Sequence, residues 1–366
     1  MRIKIIRSKF IDGLKKVQNV VAGKGSMQII QNAMLEAKGG KMNLVTTDLD
    51  ISVRSTVECE VVEEGATTLP VKLLAGTVAS CAEGVVELEC DAQDHARITA
   101  GSAAFKLTGM AVADFPALPA DEDAFAYTLP QATLREMLRK TAYAVSQDET
   151  RKTLKGVLMS FKDGKLTMVA TDGRRLALVE HEIDFPISEE KDIILPSKVV
   201  AELQRSLAGD GDVKVKIEKS QVSFNLGDTQ IYSKLLDEIY PNYRQVIPPS
   251  DRMKVTVEVD RRLLLDALDR ASVMTVEESS STRLTFDSNQ LLVSATAANI
   301  GEAKDVVPIK YNGERIEIVF NPAYVKDPLK AIDEDEVSIS LNSGSTPAVI
   351  RCSVPFLYVM MPLRIN

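Results

Sequence analysis

Some residues in this chain are of types that could bind phosphate. The segment Ala22-Gly-Lys-Gly-Ser26 places a lysine between two glycines, as in loops whose backbone amides and lysine hold a phosphate. The complete spacing needs another glycine where Gln18 stands and a hydroxyl residue where Gly25 follows the lysine. The segment fails both requirements, so no nucleotide site is predicted.

The carboxylates and histidines that could transfer protons are scattered along the chain. Asp48 and Asp172 each end a Thr-Asp phrase and could be imagined as paired catalytic carboxylates. Their equivalent positions before a turn favour a local role, in which each side chain caps the turn. His95 and His181 stand beside charged residues and match no nucleophile or ligand motif, which favours exposed positions in strands or loops. We therefore predict no enzymatic active site.

The cysteines also lack a pattern for metal binding. Cys59, Cys81, Cys90 and Cys352 contain no Cys-x-x-Cys pair, and three of them fall in the first third of the chain. Neither a zinc site nor a disulfide framework is expected, and no cofactor is implied.

Charge and hydropathy limit the possible surroundings of the protein. The net charge of -8 disfavours general adhesion to nucleic acid, so any DNA contact must come from locally concentrated lysines and arginines. No segment approaches the roughly 18 consecutive apolar residues of a membrane helix, and the N-terminus has no signal-type apolar run. These features predict a cytoplasmic protein.

The elements that position these residues occur three times. The phrase Gly-Ala-Thr-Thr-Leu-Pro-Val-Lys ending at Lys72 returns in altered form around two later prolines, so that Pro70, Pro196 and Pro322 are evenly spaced. A repeat of about 120 residues is large enough to have its own core, unlike a solenoid unit of roughly 20 to 50 residues. We predict three copies of one domain, at residues 1–120, 121–250 and 251–366, with joins near 116–126 and 241–253.

Each copy is expected to contain two helices. In the first copy Ser8 is the expected N-cap, and apolar residues at helical spacing follow it. The second helix of each copy is expected to start at the marker proline, because the first-turn N–H groups have no helical partner. Pro328 lies inside the last helix and should kink or restart it. The expected apolar stripes are Phe10, Leu14, Val17 and Val21, then Leu134, Leu138, Ala142 and Val145, then Leu264, Ala267, Leu268 and Ala271.

Between the helices the sequence changes to the period of two that is typical of strands. The residues Ile51, Val53, Ser55 and Val57 alternate with polar positions, and glycine-containing turns at residues 38–41 and 162–165 indicate hairpins. Many hairpins, few helices and few long connections predict an α+β protein with antiparallel sheets.

Three motifs in this order, together with the threefold repeat, resemble the beta subunit family of bacterial DNA polymerase III, the sliding clamps. They are Val169-Ala-Thr-Asp-Gly-Arg-Arg-Leu176, Tyr240-Pro-Asn-Tyr-Arg-Gln-Val-Ile-Pro248 and Tyr358-Val-Met-Met-Pro-Leu-Arg-Ile365. The resemblance covers essentially the whole chain. It implies that the chain forms half of a closed ring: a head-to-tail homodimer of six similar domains that encircles duplex DNA, with helices inside and sheets outside. It also implies a non-enzymatic processivity factor that is opened by an ATP-driven loader.

The resemblance implies which basic residues face DNA. A solvated helix face is the alternative explanation for these lysines and arginines, and the ring geometry favours phosphate contacts. The family often has aromatic residues where Lys152-Thr153 stand here, so a charge contact is expected there instead of stacking. The DNA-contacting candidates are Lys24, Lys72, Arg135, Arg139, Arg151, Lys152, Lys198 and Arg205.

The family binds polymerases, the clamp loader and repair proteins through a hydrophobic pocket between its second and third domains. An apolar cleft with adaptable methionines can accept short peptides of differing shape. A role in the core is the alternative for Leu154, Leu176 and Val246. Gln245 replaces an arginine common in the family, and Asn366 extends past the usual terminus. The residues carried over to this chain are Leu154, Thr171, Gly173, Arg174, Arg175, Leu176, Pro241, Val246, Val359, Met360, Met361, Pro362, Leu363 and Arg364.

Ring closure in the family pairs an edge strand of the first domain with one of the third. Phe105 and Leu107 match the first-domain apolar contacts, and Val273 and Met274 match the third-domain contacts. The family's acidic cluster is reduced here to two carboxylates around Lys304, which predicts weaker ion pairing across the interface. A monomeric interaction scaffold and a repeat-built enzyme are the competing classes, and the enzyme lacks a convergent catalytic set.

Overall fold

The computed structural model describes seven stretches of the chain, and every structural statement below concerns these residues. They are 1–21, 27–119, 124–207, 209–274, 281–297, 301–352 and 355–364. Lys24 and the C-terminal Asn366 lie outside the described residues.

Two α-helices fall in each of the three repeated segments. Five of the six helices in the described stretches have ten or eleven residues and the sixth has twelve, so helices form only a small part of each copy. Their bounds are α1 Arg7–Val17, α2 Val71–Ser80, α3 Gln131–Thr141, α4 Ser197–Ser206, α5 Arg261–Ser272 and α6 Pro322–Ala331.

The strands outnumber the helices in every copy. The first copy contains β1 Arg2–Ile6, β2 Asn32–Lys38, β3 Lys41–Thr47, β4 Ile51–Glu58, β5 Glu60–Glu63, β6 Gly65–Pro70, β7 Val85–Cys90, β8 His95–Ala100 and β9 Ala103–Thr108. The second contains β10 Ala126–Pro130, β11 Gly156–Lys162, β12 Lys165–Thr171, β13 Arg175–Glu182, β14 Lys191–Pro196, β15 Asp212–Ile217, β16 Gln221–Asn225 and β17 Thr229–Lys234. The third contains β18 Val255–Asp260, β19 Thr282–Asp287, β20 Gln290–Ala297, β21 Gly301–Pro308, β22 Ile316–Phe320, β23 Glu336–Leu341, β24 Ala348–Arg351 and β25 Phe356–Met360.

The chain divides into two compact units, and each contains two antiparallel sheets. The first unit comprises Met1–Arg135 with Lys198–Leu235. Its sheets have the strand orders β5-β1-β7-β8-β9 and β10-β15-β16-β17-β4-β3-β2-β6. The second unit comprises Glu136–Ser197 with Leu236–Asn366, and its sheets have the orders β14-β11-β12-β13-β25-β24-β23-β18 and β21-β20-β19-β22. An eight-stranded sheet in each unit therefore contains strands from two successive copies of the repeat.

The predicted antiparallel α+β architecture and its hairpins are confirmed. Gly39 and Gly40 connect β2 to β3 with positive φ angles of 57° and 77°. Asp163 and Gly164 connect β11 to β12 in the same way, at 54° and 67°. Two successive residues with positive φ give the turn twist that matches antiparallel strands, and glycine adopts this conformation without a Cβ clash.

The apolar stripes of the helices are buried as predicted, except for Ala142, which is half-buried in a 3-10 turn just after α3. Phe10, Leu14 and Val17 of α1 have no solvent exposure, and α1 packs on strands β3 and β4. Leu264, Ala267, Leu268 and Ala271 of α5 are likewise buried. Removing these side chains from water supplies roughly 25 cal/mol per Å² of apolar area, which attaches each helix to its sheet.

The start of α1 differs from the sequence prediction. Ser8 is not the N-cap: the helix begins at Arg7, and the capping position is Ile6, which makes no side-chain hydrogen bond. Instead, the Arg7 N–H donates to the Gly84 carbonyl at 2.9 Å. The first N–H groups of α3 and α5 donate in the same way, Gln131 to Gly211 and Arg261 to Asp335, each at 2.8 Å. Because loop carbonyls satisfy these first-turn donors, a side-chain cap is not required at Ser8.

The marker prolines and Pro328 also depart in part from the prediction. Pro70 and Pro196 end strands, so α2 and α4 begin one residue later, whereas Pro322 is the first residue of α6. The helix does not restart at Pro328 as expected: α6 continues through this residue to Ala331. Proline leaves the carbonyl four residues earlier, at Tyr324, without its helical donor. The Tyr358 hydroxyl donates to that carbonyl at 2.8 Å, which accounts for the unbroken helix.

The described stretches contain neither a membrane-spanning helix nor a cluster of metal-binding side chains. None of their helices has the length and apolar character needed to cross a membrane. Within the same stretches, histidine, cysteine and acidic side chains do not gather into a group of three or more that could hold a metal ion.

Candidate functional site

Two strands that are far apart in sequence meet where the second copy of the repeat joins the third. In the antiparallel pair β13 and β25, Leu176 lies opposite Val359 and Arg175 lies opposite Met360. The Met361 N–H continues the pairing by donating to the Arg174 carbonyl at 2.9 Å. This pairing brings together two of the three segments of the predicted pocket.

The turn before β13 has the capping role predicted for Asp172. One oxygen of Asp172 accepts hydrogen bonds from the backbone N–H groups of Arg174 and Arg175, at 2.9 and 3.0 Å. Thr171 accepts from the Gly173 N–H at 3.1 Å, and Gly173 has a φ of 84°. A Cβ at Gly173 would lie 2.8 Å from an Arg151 guanidinium nitrogen, so a side chain there would meet both backbone strain and a steric contact.

Arg175 is held by contacts with other parts of the same unit. Its guanidinium donates to Asp172 at 3.1 Å, to Asp327 and, at 2.6 Å, to the Tyr143 carbonyl. The group also lies 4.6 Å from the centre of the Tyr324 ring, in cation–π contact. Burial by itself would lower the pKa of Arg175, but the hydrogen bond with Asp327 and the surrounding negative charge raise it above its ordinary value. Its side chain is only 11% exposed, so Arg175 orients the turn instead of offering a free cation to a ligand.

An apolar cluster underlies this turn. Exposed apolar residues of the predicted pocket lie in the segments beside it: Val246 is 55% exposed and Met361 is 45% exposed. The buried cluster consists of Leu158, Val169, Leu176, Val349 and Val359, with Leu178, Tyr240, Tyr243, Ile247, Met253 and Leu357 packed against it. Leu176 and Val359 therefore belong to the core, and the exposed apolar groups available to a ligand come from neighbouring segments.

The remaining pocket candidates occupy varied positions. Leu154 is half-buried in a short 3-10 turn, Gly173 and Arg174 are exposed, and Met360 is fully buried. Leu363 continues away from β25 and donates its N–H to the Val319 carbonyl at 2.8 Å. Pro241 and Arg364 are exposed, and Pro362 is half-buried.

Several residues beside the turn were not predicted from sequence. Tyr143, Tyr324 and Asp327 surround the Arg175 guanidinium, and Tyr240 packs on the apolar cluster. Burial raises the pKa of both Tyr143 and Tyr240. Tyr240 could have been found, because it begins one of the recognised motifs. The sequence did not identify Asp327 as a site residue, because the sequence of one helix does not indicate which strand that helix will face.

The structure distributes the candidate DNA-contacting residues over several environments. Lys72 on α2 and Arg135 on α3 are exposed, and Lys152 is exposed in a 3-10 turn. Arg151 lies close to the turn before β13: it donates to the Asp172 carbonyl at 3.2 Å and pairs with Asp148 at 3.4 Å.

The other candidates form ion pairs. Arg139 donates to both carboxylate oxygens of Asp333, which holds the pKa of that carboxyl below its ordinary value. Lys198 pairs with the buried Asp48, whose carboxylate also caps the turn before β4 as predicted. Arg205 donates to the buried Glu202 at 2.6 Å. About half of the Lys198 and Arg205 side chains remains exposed, so each pair leaves the cation accessible at the surface.

The interface candidates lie at or near sheet edges. Strand β9 is the last strand of its sheet, where Phe105 is half-buried and Leu107 is 8% exposed. Strand β21 is the last strand of the four-stranded sheet. Val273, just after α5, is 76% exposed, and Met274 beside it is half-buried.

Family models match nearly all of this chain. The N-terminal domain of the DNA polymerase III beta subunit matches residues 1–119, the central domain matches 128–242, and the C-terminal domain matches 244–364. Together with the antiparallel sheets, these matches define a protein built from three tandem beta-clamp domains. The chain belongs to the DNA polymerase III beta subunit family, the bacterial sliding clamps. The family comprises processivity factors without catalytic activity of their own.

Individual relatives agree along their full lengths or nearly so. The beta sliding clamp of Chlamydia trachomatis is 32% identical, over all of this chain and 88% of the relative. That of Escherichia coli K12 is 30% identical, with complete coverage of both chains. A crystal structure of the Bartonella birtlesii sliding clamp bound to griselimycin has a TM-score of 0.94, is 32% identical and is covered completely in both directions.

Proposed function

We propose that two copies of this chain form a closed ring around duplex DNA and tether the replicative polymerase to it. The family match to all three domains supports this proposal most strongly. In such a ring the protein holds DNA by topology, so tight contact with the bases is unnecessary. Opening the ring requires an ATP-driven clamp loader. The three domains of each chain would join near residues 116–126 and 241–253.

Two strand edges support head-to-tail closure. The outer edges of β9 and β21 end their sheets, and an unpaired edge can extend a sheet into a second chain. Phe105 and Leu107 on β9, with Val273 and Met274 after α5, would supply apolar contacts. The acidic residues of β21 already have partners within the chain, Glu302 with Lys304 at 2.7 Å and Asp305 with Arg270 at 2.5 Å. We therefore expect apolar and backbone contacts to contribute more than ion pairs to closure.

The charge distribution supports a loose hold on DNA. The protein carries a net charge of -8, which repels DNA in general, while exposed cations such as Lys72, Arg135 and Lys152 supply local attraction. Lys198 and Arg205 keep partly exposed cations beside their buried carboxylates. Such contacts with phosphates carry no sequence information, as a protein that moves along DNA requires.

The tethering site is the predicted pocket, comprising the turn before β13, the segment around Val246 and the residues after β25. Exposed Val246 and Met361 beside a buried apolar cluster are the single observation that carries this assignment. Methionine adapts its shape to different apolar partners, so one pocket can receive peptides from polymerases, the clamp loader and repair proteins. The griselimycin complex of the Bartonella birtlesii relative supports ligand binding by this family.

A double substitution tests the pocket. Leu176→Ala with Met361→Ala should abolish binding of a synthetic polymerase-tail peptide in a calorimetric titration, while the solution mass of the protein is unchanged. Leu129→Ala with Met27→Ala is the matched control, because Leu129 is also 2% exposed and Met27 is also 45% exposed. Undiminished peptide affinity in the pocket variant would exclude this site.

The solution mass tests the dimer and the competing scaffold function together. One chain has a mass of 40.0 kDa. Light scattering should give twice this mass, and a monomer at micromolar concentration would favour the interaction scaffold.

A further inference from the structure

The junction between the first and second copies repeats the backbone of the proposed pocket. Thr47 accepts from the Leu49 N–H at 3.1 Å, as Thr171 accepts from the Gly173 N–H at 3.1 Å. Asp48 accepts from the N–H groups of Asp50 and Ile51 at 3.1 and 2.9 Å, which is the pattern formed by Asp172.

Strand pairing extends the correspondence. Ser52 on β4 lies opposite Tyr232 on β17, and Ile51 lies opposite Ser233. In the second junction the opposed residues are Leu176 with Val359 and Arg175 with Met360. The next residue, Lys234, donates its N–H to the Asp50 carbonyl at 2.9 Å, as Met361 does to Arg174 at the same distance. Ser52, Tyr232 and Lys234 thus stand where the pocket has Leu176, Val359 and Met361.

A groove is present at this first junction, and we call it the first-junction groove. Its volume is 290 Å³, and it lies entirely within the first compact unit. It is lined by Thr47, Leu49, Asp50, Ser52, Pro116, Ala117, Leu118, Pro119, Gln221, Tyr232, Ser233 and Lys234.

The side chains of the groove oppose binding of an apolar peptide. Asp50 and Lys234 form an ion pair at 3.1 Å, and both are largely exposed, so a ligand would have to remove water from two charges. Serine at position 52 also removes the apolar side chain that Leu176 contributes to the buried cluster beneath the pocket. Leu49 occupies the position of Gly173 with a φ of 78° and is 45% exposed, so its side chain projects where the pocket has none.

We propose that Leu49, Asp50, Ser52, Tyr232 and Lys234 are specificity-determining residues that restrict partner peptides to one site per chain. The first-junction groove thus has the same backbone as the pocket, but its side chains do not favour binding of an apolar peptide. The inference rests on the proposed function of the pocket. Its consequence is a fixed valency, because a dimer has two peptide sites instead of four.

A grafting experiment tests this assignment with the polymerase-tail peptide as the probe. The graft replaces the five residues with those of the pocket: Leu49→Gly, Asp50→Arg, Ser52→Leu, Tyr232→Val and Lys234→Met. Calorimetric titration should give one peptide per chain for the unmodified protein and two for the graft. A smaller variant, Leu49→Gly with Lys234→Met, should bind a second peptide at least tenfold more weakly than the pocket does. If the full graft folds poorly, this smaller variant still tests whether removing the Leu49 side chain and the Lys234 charge creates a second peptide site.

The reciprocal substitution separates failure of this inference from failure of the proposed pocket. Leu176→Ser with Met361→Lys should abolish peptide binding when the two changes are made in the otherwise unmodified protein. The graft that carries the same two changes should retain one peptide site. A protein that never binds the peptide would refute the pocket itself. One site in the unmodified protein and still one in a folded graft, or two sites in the unmodified protein, would overturn the specificity assignment alone. Circular dichroism and the thermal midpoint of each variant establish that it is folded.

Discussion

The Arg175 guanidinium donates a hydrogen bond to the Asp327 carboxylate, which lies 152 residues further along the chain. This contact connects the first residue of β13 with α6 in the same unit. Tyr143 and Tyr324 enclose the same guanidinium. The turn that presents Gly173 and Arg174 is therefore fixed from its buried side before any ligand arrives.

Asp327→Asn should lower the free energy of unfolding by about 2 kcal/mol, because it weakens a charge-assisted hydrogen bond to a largely buried cation. It should also weaken binding of the tail peptide, since the turn loses its support. Asp333→Asn is the control: it alters the more exposed pair with Arg139 and should cost less than about 1 kcal/mol. Urea denaturation measures both values, and equal losses would contradict the proposed difference.

Tyr358 and Pro328 should be energetically coupled through the Tyr324 carbonyl. Tyr358→Phe removes the hydroxyl donor and should destabilise the protein by about 1–3 kcal/mol, because the partly buried carbonyl loses its partner. In a Pro328→Ala background the restored helical N–H can satisfy that carbonyl, so the same change should cost about 1 kcal/mol less. A double-mutant cycle measures the coupling, and additive effects would exclude this explanation of the unbroken helix.

Two helical glycines should respond in opposite ways to alanine. A Cβ at Gly76 in α2 meets nothing within 4 Å, so Gly76→Ala should stabilise the protein by about 1 kcal/mol through helix propensity. A Cβ at Gly13 in α1 would lie 2.5 Å from a methyl carbon of Val57, so Gly13→Ala should cost about 1–3 kcal/mol through overpacking. Thermal denaturation of the two variants compares the effects, and a stabilising Gly13→Ala would contradict the close packing of α1.

The ion pair between Arg270 and Asp305 should make a contribution to stability that depends on pH. The hydrogen bond from Arg270 holds the pKa of the Asp305 carboxyl below its ordinary value of 3.8. Because the folded-state pKa is the lower one, the stabilisation is complete above pH 3.8 and disappears as the pH falls through the folded-state value. Arg270→Gln should raise the pKa of Asp305 in a carboxyl NMR titration. An unchanged titration would show that Arg270 is not the cause.

The repeated elements were predictable from sequence because their causes are local. Glycine-containing hairpins, helical stripes such as Phe10 and Leu14, and the capping role of Asp172 each depend on a few neighbouring residues. The structure bears them out. The Ser8 cap was wrong for a physical reason, since the Gly84 carbonyl that replaces it comes from a distant loop.

The candidate site was less predictable because its chemistry depends on pairings between distant segments. Sequence marked Arg175 for the pocket but not the residues that immobilise it, Asp327 and Tyr324. It also marked Lys198 as a cation for DNA without indicating its pairing with Asp48. The sequence alone could not show that Ser52 occupies the position in the first junction that Leu176 occupies in the second. The difference between serine and leucine becomes meaningful only when strand register makes the two positions equivalent.

Retention on DNA as a function of topology tests the central claim most directly. The protein is loaded onto a nicked circular plasmid by a clamp loader with ATP, separated from free protein by gel filtration, and measured again after a single restriction cut. The proposed ring predicts that the protein stays with the circle and is lost through the ends once the plasmid is linear. Equal retention before and after the cut would show that the protein holds DNA by direct contact and would contradict encirclement.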